Sequence, residues 1–264
     1  MHFSPFDLYQ AGDSILHELD SRTKLALTLA FILSVSLTPV GAWPIYVLLL
    51  ALALSASVAS ELGLAFVARR AAVALPFVLA AFPVMFTLKG DALASLRLGD
   101  WTLTLTQPGL ERFISVALKS WLSAQMAILL TATTSLPDLL LAMRSMGLPR
   151  LLIAVLGLMW RYLAVLVDEA LRMLRARDSR SGSWDGRGGG ALFWRARVTG
   201  AMAGTLFLRG YERSERVYSA MLSRGYDGTI RSFSLHPLSW TERLMLVAAF
   251  VILIALALLG YVLG

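Results

Sequence analysis

The chain has no cysteine, only three histidines and only three lysines among 264 residues. The missing thiols exclude a disulfide, a thiolate metal site and a cysteine nucleophile. The histidines, His2, His17 and His236, stand far apart and form no pair at helical spacing. They offer no recognisable ligand set, so no metal-binding and no catalytic residue is expected in this chain. His17, close to Leu16 and Leu19, is expected at a membrane interface. No Gly-x-Ser-x-Gly elbow occurs. The glycine tract Gly188-Gly189-Gly190 lacks the Lys-Ser/Thr pair of a phosphate-binding loop. It reads as a flexible linker, and ATP binding through such a loop is not expected.

Charge is scarce too. Charged residues make up 16% of the chain, against 57% hydrophobic ones, and the mean hydropathy is +0.69. A soluble domain of this size needs more polar surface to cover its core. Long stretches without charge point instead to a membrane. Five apolar runs are the candidate spans: Leu25 to Val40, Trp43 to Ser60, Ala71 to Leu88, Phe113 to Leu136 and Leu244 to Leu263. Pro76 and Pro83 in the third remove backbone donors and predict a bend. The first residues carry Asp7, Asp13, Glu18 and Asp20 without a basic region ahead of an apolar core, so no cleavable signal peptide is expected. Between the third and fourth runs, Leu98 to Thr106 alternates with period two around Gly99-Asp100, which predicts a β-hairpin at the membrane face.

The fold class expected is therefore an all-α polytopic membrane protein with about five transmembrane helices and a cytoplasmic module of amphipathic helices. The domain division expected is 1–136 (four spans), 137–240 (the cytoplasmic module) and 241–264 (the last span). The net charge of +7 reads as topology rather than nucleic-acid binding, because cytoplasmic loops collect Lys and Arg. Arg22 and Lys24 place the N-terminus inside, Arg69-Arg70 place the next inner loop, and the segment after the fourth span follows. Five spans then leave the C-terminus outside. A bacterial cytoplasmic membrane is the expected location.

Every cation between Pro137 and Trp240 is an arginine. The segment is helical by period and is broken at Gly147-Leu148-Pro149 and at Ser181 to Gly190. Two short motifs, Ala176-Arg177-Asp178 and Ser223-Arg224-Gly225, fall near helix C-termini, with Gly225 a natural residue to follow the cap. A cation there interacts favourably with the helix dipole. Arginine also offers a planar fork for carboxylates and carbonyls across an interface. Both readings stand on these residues alone. Met143, Met146, Met159 and Met173 are expected to be adaptable packing rather than ligands for a soft metal.

At these motifs the sequence resembles the transmembrane T component of energy-coupling-factor (ECF) transporters, and within that family the CbiQ-type cobalt-transport permeases. Asp20-Ser21-Arg22-Thr23-Lys24 is similar to the family's Asp-Pro-Arg-x-Lys box, with Ser21 in place of proline. Thr134-Ser135-Leu136-Pro137-Asp138-Leu139 resembles its Thr-Ser-x-x-Asp-Leu stretch, and Gly147 and Pro149 follow at the family's distance. Arg177 and Arg224 match its two x-Arg-x motifs, and Ser223 to Gly228 is the most specific match. Asp178 stands where glycine is common, and Arg180 is a second candidate beside Arg177.

The resemblance implies a non-catalytic subunit. Two ATP-binding subunits, a homodimer, hydrolyse ATP with magnesium on the cytoplasmic side, and a substrate-binding S component holds the cargo in the bilayer. The chain itself holds no cofactor and no nucleic acid. Two coupling helices insert their x-Arg-x ends into the ATPases. Cobalt ion is the expected cargo; nickel or a vitamin such as biotin is the alternative, and a membrane enzyme or scaffold the more distant one. Asp138 is expected to cap the first cytoplasmic helix, and Asp20 with Arg22 to fix the N-terminal segment.

Overall fold

The structure, a computed structural model, describes residues 9–87, 92–98, 101–180, 192–228 and 238–263. His2, His236, Lys89, Gly99-Asp100, the linker at 181–190 and Arg231 lie outside the described residues. The chain divides into two compact units. One comprises residues 5–145 and 235–264, and the other has residues 146–234 as its main body.

The first unit is a helical membrane bundle. It contains α1 (Ile15–Glu18), α2 (Ser21–Leu37), α3 (Trp43–Ala59), α4 (Leu64–Ala71), α5 (Leu75–Ala80), α6 (Val84–Thr87), α7 (Gln107–Thr133), α8 (Leu136–Ser145) and, from the far end of the chain, α11 (Trp240–Leu263). The second unit holds α9 (Arg150–Arg180) and α10 (Leu192–Ser223). α8, which the sequence joins to the coupling segment, packs in the membrane unit against α2. This is the architecture of an all-α polytopic membrane protein, with one small hairpin.

Apolar packing sets the bundle. Phe31 and Val35 of α2, Ile45 and Leu49 of α3, Val67 of α4, Leu122 and Leu129 of α7 and Leu253 of α11 form one buried cluster. Antiparallel α2 and α7 meet at both ends: Lys24 lies by Thr133, and Lys119 Nζ donates to the Ser36 carbonyl at 3.0 Å. α11 runs parallel to α2, with Ser34 Oγ donating to the Leu253 carbonyl. Helix entry follows local chemistry. Asp20 caps α2 by accepting from the Arg22 amide at 2.8 Å, and prolines open α3, α5 and α7.

The third apolar run is broken, as its prolines require. A 3₁₀ turn at Ala72–Ala74 leads into Pro76, and a second interruption precedes α6. There the amides of Ala81, Phe82, Val84, Met85 and Phe86 bond three residues back, around Pro83. Two features hold the broken end to α7. Phe82 stacks edge-on with Phe86 and Phe113. Gly109 also lies so close to the Met85 carbonyl that a Cβ there would sit 2.6 Å from its oxygen. The expected hairpin forms: β1 (Ala92–Leu98) pairs antiparallel with β2 (Trp101–Thr106), from Leu98 opposite Trp101 to Ala92 opposite Thr106.

The span boundaries shift from the sequence expectation. Among the described residues, four helical stretches are long and apolar enough to cross a membrane by length and composition: Leu64–Phe86, Gln107–Thr133, Arg150–Arg180 and Trp240–Val262. Trp43–Ala59 is shorter. The unexpected member is α9, which the sequence assigns to an amphipathic cytoplasmic segment. Between Leu151 and Val167 its only charge is Arg161, so this half is apolar all round rather than along one stripe.

Candidate functional site

The arginine motifs occupy helix ends, as the sequence predicts. α10 closes at Ser223 with Arg224 as the cap and Gly225 at φ +78°. The Tyr226 amide bonds the Met221 carbonyl at 3.0 Å, and the Gly225 amide bonds the Leu222 carbonyl at 2.9 Å. This is a Schellman closure, which requires the left-handed conformation glycine adopts freely. It leaves Arg224 exposed at the tip. Ser223 is exposed, and its Oγ donates back to the Ser219 carbonyl.

At the other tip, Arg177 sits in the last turn of α9. Its Nε and Nη2 both donate to Asp178 Oδ1, at 3.1 and 2.8 Å. Asp178, in the position where the family pattern favours glycine, thus engages the Arg177 guanidinium from the adjacent residue of the same helix. Arg180 makes no ion pair with any described residue. Both arginines line one cleft of about 650 Å³, together with Ala176, Met173 and, from α10, Trp194. Nearer the other tip, a larger apolar groove of about 990 Å³ runs between the helices, from Leu151 and Met159 to Phe207, Tyr218 and Tyr226. Of α9 only Ala154 is buried, and of α10 no residue is.

The N-terminal box lies in the membrane unit and forms a junction of helix ends. Lys24 is 8% exposed. Its ammonium donates to the Thr133 carbonyl at 3.0 Å and to the His17 carbonyl at 3.2 Å. Thr133 ends α7, and the last carbonyls of a helix have no partner within it. The Gln10 amide takes the neighbouring Ala132 carbonyl at 2.9 Å. Lys24 and the N-terminal segment therefore close α7. His17 is tied by both ring nitrogens: Nε2 lies 2.9 Å from the Gln10 carbonyl oxygen and Nδ1 lies 2.7 Å from Ser14 Oγ.

Asp20 and Arg22 pair only loosely, at 4.0 Å. The stronger tie of Asp20 is one the sequence reading did not contain. Its amide donates to Glu242 Oε1 at 3.0 Å, from α2 to α11. Glu242 Oε2 accepts from the Ser239 amide and hydroxyl, while Ser239 Oγ accepts from the Glu242 amide. This is a capping box at the head of α11. The Ser239-Trp240-Thr241-Glu242 spacing ahead of an apolar run was the signal for it. The starts of α2 and α11 and the end of α7 thus share one end of the unit.

Asp138 departs from its expected role. The cap of α8 is Ser135, whose hydroxyl donates to Asp138 Oδ2 at 2.6 Å and lies 3.4 Å from the Asp138 amide. Asp138 steadies the capping residue because it lies inside the first turn, where its carboxylate reaches back. Gly147 has φ +95° after α8, and the Pro149 carbonyl accepts the first amides of α9. Among the described residues no group of three His, Asp or Glu side chains is placed to hold a metal ion.

Comparison with known proteins supplies a family. The family model described as cobalt transport protein, CbiQ, matches residues 12–235. The chain is similar to the energy-coupling factor transporter transmembrane protein EcfT of Lactococcus lactis subsp. cremoris, at 27% identity over 95% of each chain. It is similar to EcfT of Brevibacillus brevis at the same identity and coverage. EcfT of Listeria innocua is 29% identical over 83% of each chain.

Proposed function

Starting from the chain's membership of the CbiQ cobalt transport protein family, we propose that it is the T component of an ECF-type importer and carries ATP-driven motion from two ATPase subunits to a substrate-binding S component. The observation that carries this reading is the pair of long helices, α9 and α10, each with arginine in or just past its last turn (half-buried Arg177 and exposed Arg180 on α9, exposed Arg224 after α10) and neither covered by the rest of its own unit. Such surfaces call for partners. Closure of the ATPase dimer moves the tips, and the crossed helices pass the motion to the bilayer. This requires tip contacts that differ between the two ATPase states.

The shared level of the α2 start, the α7 end and the α11 start suits the proposed orientation, with that end cytoplasmic and the C-terminus of α11 on the far side. The proposed cargo is cobalt ion, on the description of the matching family. The cargo sits in the S component, so this chain supplies no ligands for it. The test is purification of the chain with and without its ATP-binding subunits. The complex is expected to hydrolyse ATP and load cobalt into vesicles, and the isolated chain to hydrolyse none. Turnover by the isolated chain, or failure to retain any ATP-binding subunit, overturns the reading.

A further inference from the structure

Glu169 lies about two thirds of the way along α9, and its side chain is only 15% exposed. One carboxylate oxygen accepts from Arg172 Nη2 at 2.7 Å on its own helix, and the other accepts from Arg209 Nη1 on α10. One turn before Glu169, Leu166 Cδ2 reaches Gly210: a Cβ placed on that glycine would lie 3.6 Å from it. Here the two helices are in contact, at the separation an ordinary Cβ contact would have. Away from this point they diverge. The arginine-lined cleft opens toward the end of α9, and the apolar groove opens toward the end of α10.

We infer that the Glu169–Arg209 pair beside the Leu166–Gly210 contact is the pivot on which α9 and α10 cross, and that Glu169 is a positioning residue for both arginine tips. A directional contact at the crossing fixes an angle that apolar side chains alone leave adjustable. Arg172 keeps the carboxylate turned toward α10. The geometry also makes the two arms unequal. At the helical rise, Arg177 lies about 12 Å beyond Glu169, and Arg224 lies about 22 Å beyond Arg209. One change of crossing angle therefore sweeps the Arg224 tip roughly twice as far as the Arg177 tip. As regards transport, this inference rests on the coupling role proposed above; as regards helix geometry, it does not.

The chain lacks cysteine, so spin labels can be placed on the full-length protein without removing native thiols. Labels at Leu174→Cys and Ala220→Cys, both exposed and on opposite arms, report the crossing angle in lipid nanodiscs. The expected result is a narrow distance distribution that Glu169→Gln broadens at least twofold. The double variant Glu169→Arg with Arg209→Glu, which restores an opposite-charge pair and faces Arg172, returns it to the original width. In the assembled transporter, Glu169→Gln is expected to keep ATP hydrolysis while cobalt uptake falls at least threefold. An unchanged distribution in Glu169→Gln, or no recovery in the reversed pair, overturns the pivot. A broadened distribution with undiminished uptake leaves the pivot standing and overturns the coupling role of the crossing.

Discussion

The membrane unit and the two-helix unit handle their polar groups in opposite ways. In the membrane unit, polar atoms at helix ends are met by partners far away in sequence: Lys24 with Thr133, Asp20 with Glu242, Gln10 with Ala132. In the two-helix unit most arginines are exposed, and among the described residues the ion pair between the helices is Glu169 with Arg209. The difference follows from solvent. At a buried helix end the backbone groups left over from the helix cost free energy unless they are paired, so they are closed from within. Exposed arginines bear no such cost and stay available for another surface. On the proposed role, the second unit offers these surfaces to other chains.

That contrast predicts that substitutions in the two units fail differently. The largest effect is expected from Arg177→Ala combined with Arg224→Ala, which should abolish uptake while the protein stays in the membrane at its normal level. Full uptake and full retention of the ATPases by this pair would erase the distinction between the units. Lys24→Met should act on the other side of the contrast. It orphans the Thr133 and His17 carbonyls at a cost of about 2–3 kcal/mol, read as a lowered unfolding temperature and reduced membrane abundance. Gly109→Ala places a Cβ against the Met85 carbonyl and should cost about 1–3 kcal/mol through forced displacement of α6. The same thermal assay in detergent measures it; unaltered stability would mean that α6 yields freely. The smallest effect is Gly225→Ala, about 1 kcal/mol from the positive φ. It should fray the α10 end and weaken ATPase copurification with little change in membrane-unit stability, which sharpens the contrast at a single tip.

Much of the fold was legible because it is local. The Gly225 closure, the Asp20 cap, the breaks at Pro76 and Pro83 and the hairpin flanking Gly99-Asp100 each depend on a few adjacent residues, whose conformational limits are written in their side chains. The role of Asp138 was misread for the same reason. Ser135 and Asp138 both suit a helix start, and only the helix boundary says which one caps. α9 carries enough arginines overall to look amphipathic, while its first half is apolar on every side.

By itself the sequence determined that this is a membrane protein, where its third apolar run breaks, and that arginines stand at two helix ends. Tertiary structure alone decided what meets what. Glu242 holding Asp20, Lys24 closing α7 and Glu169 gripping Arg209 are pairings between residues far apart in the chain. Each side chain shows that it needs a partner, but the choice of partner comes from how helices dock and in what register. That register is set by apolar packing summed over whole faces, such as the Phe31, Leu49, Leu122 and Leu253 cluster, and no short stretch of chain contains it.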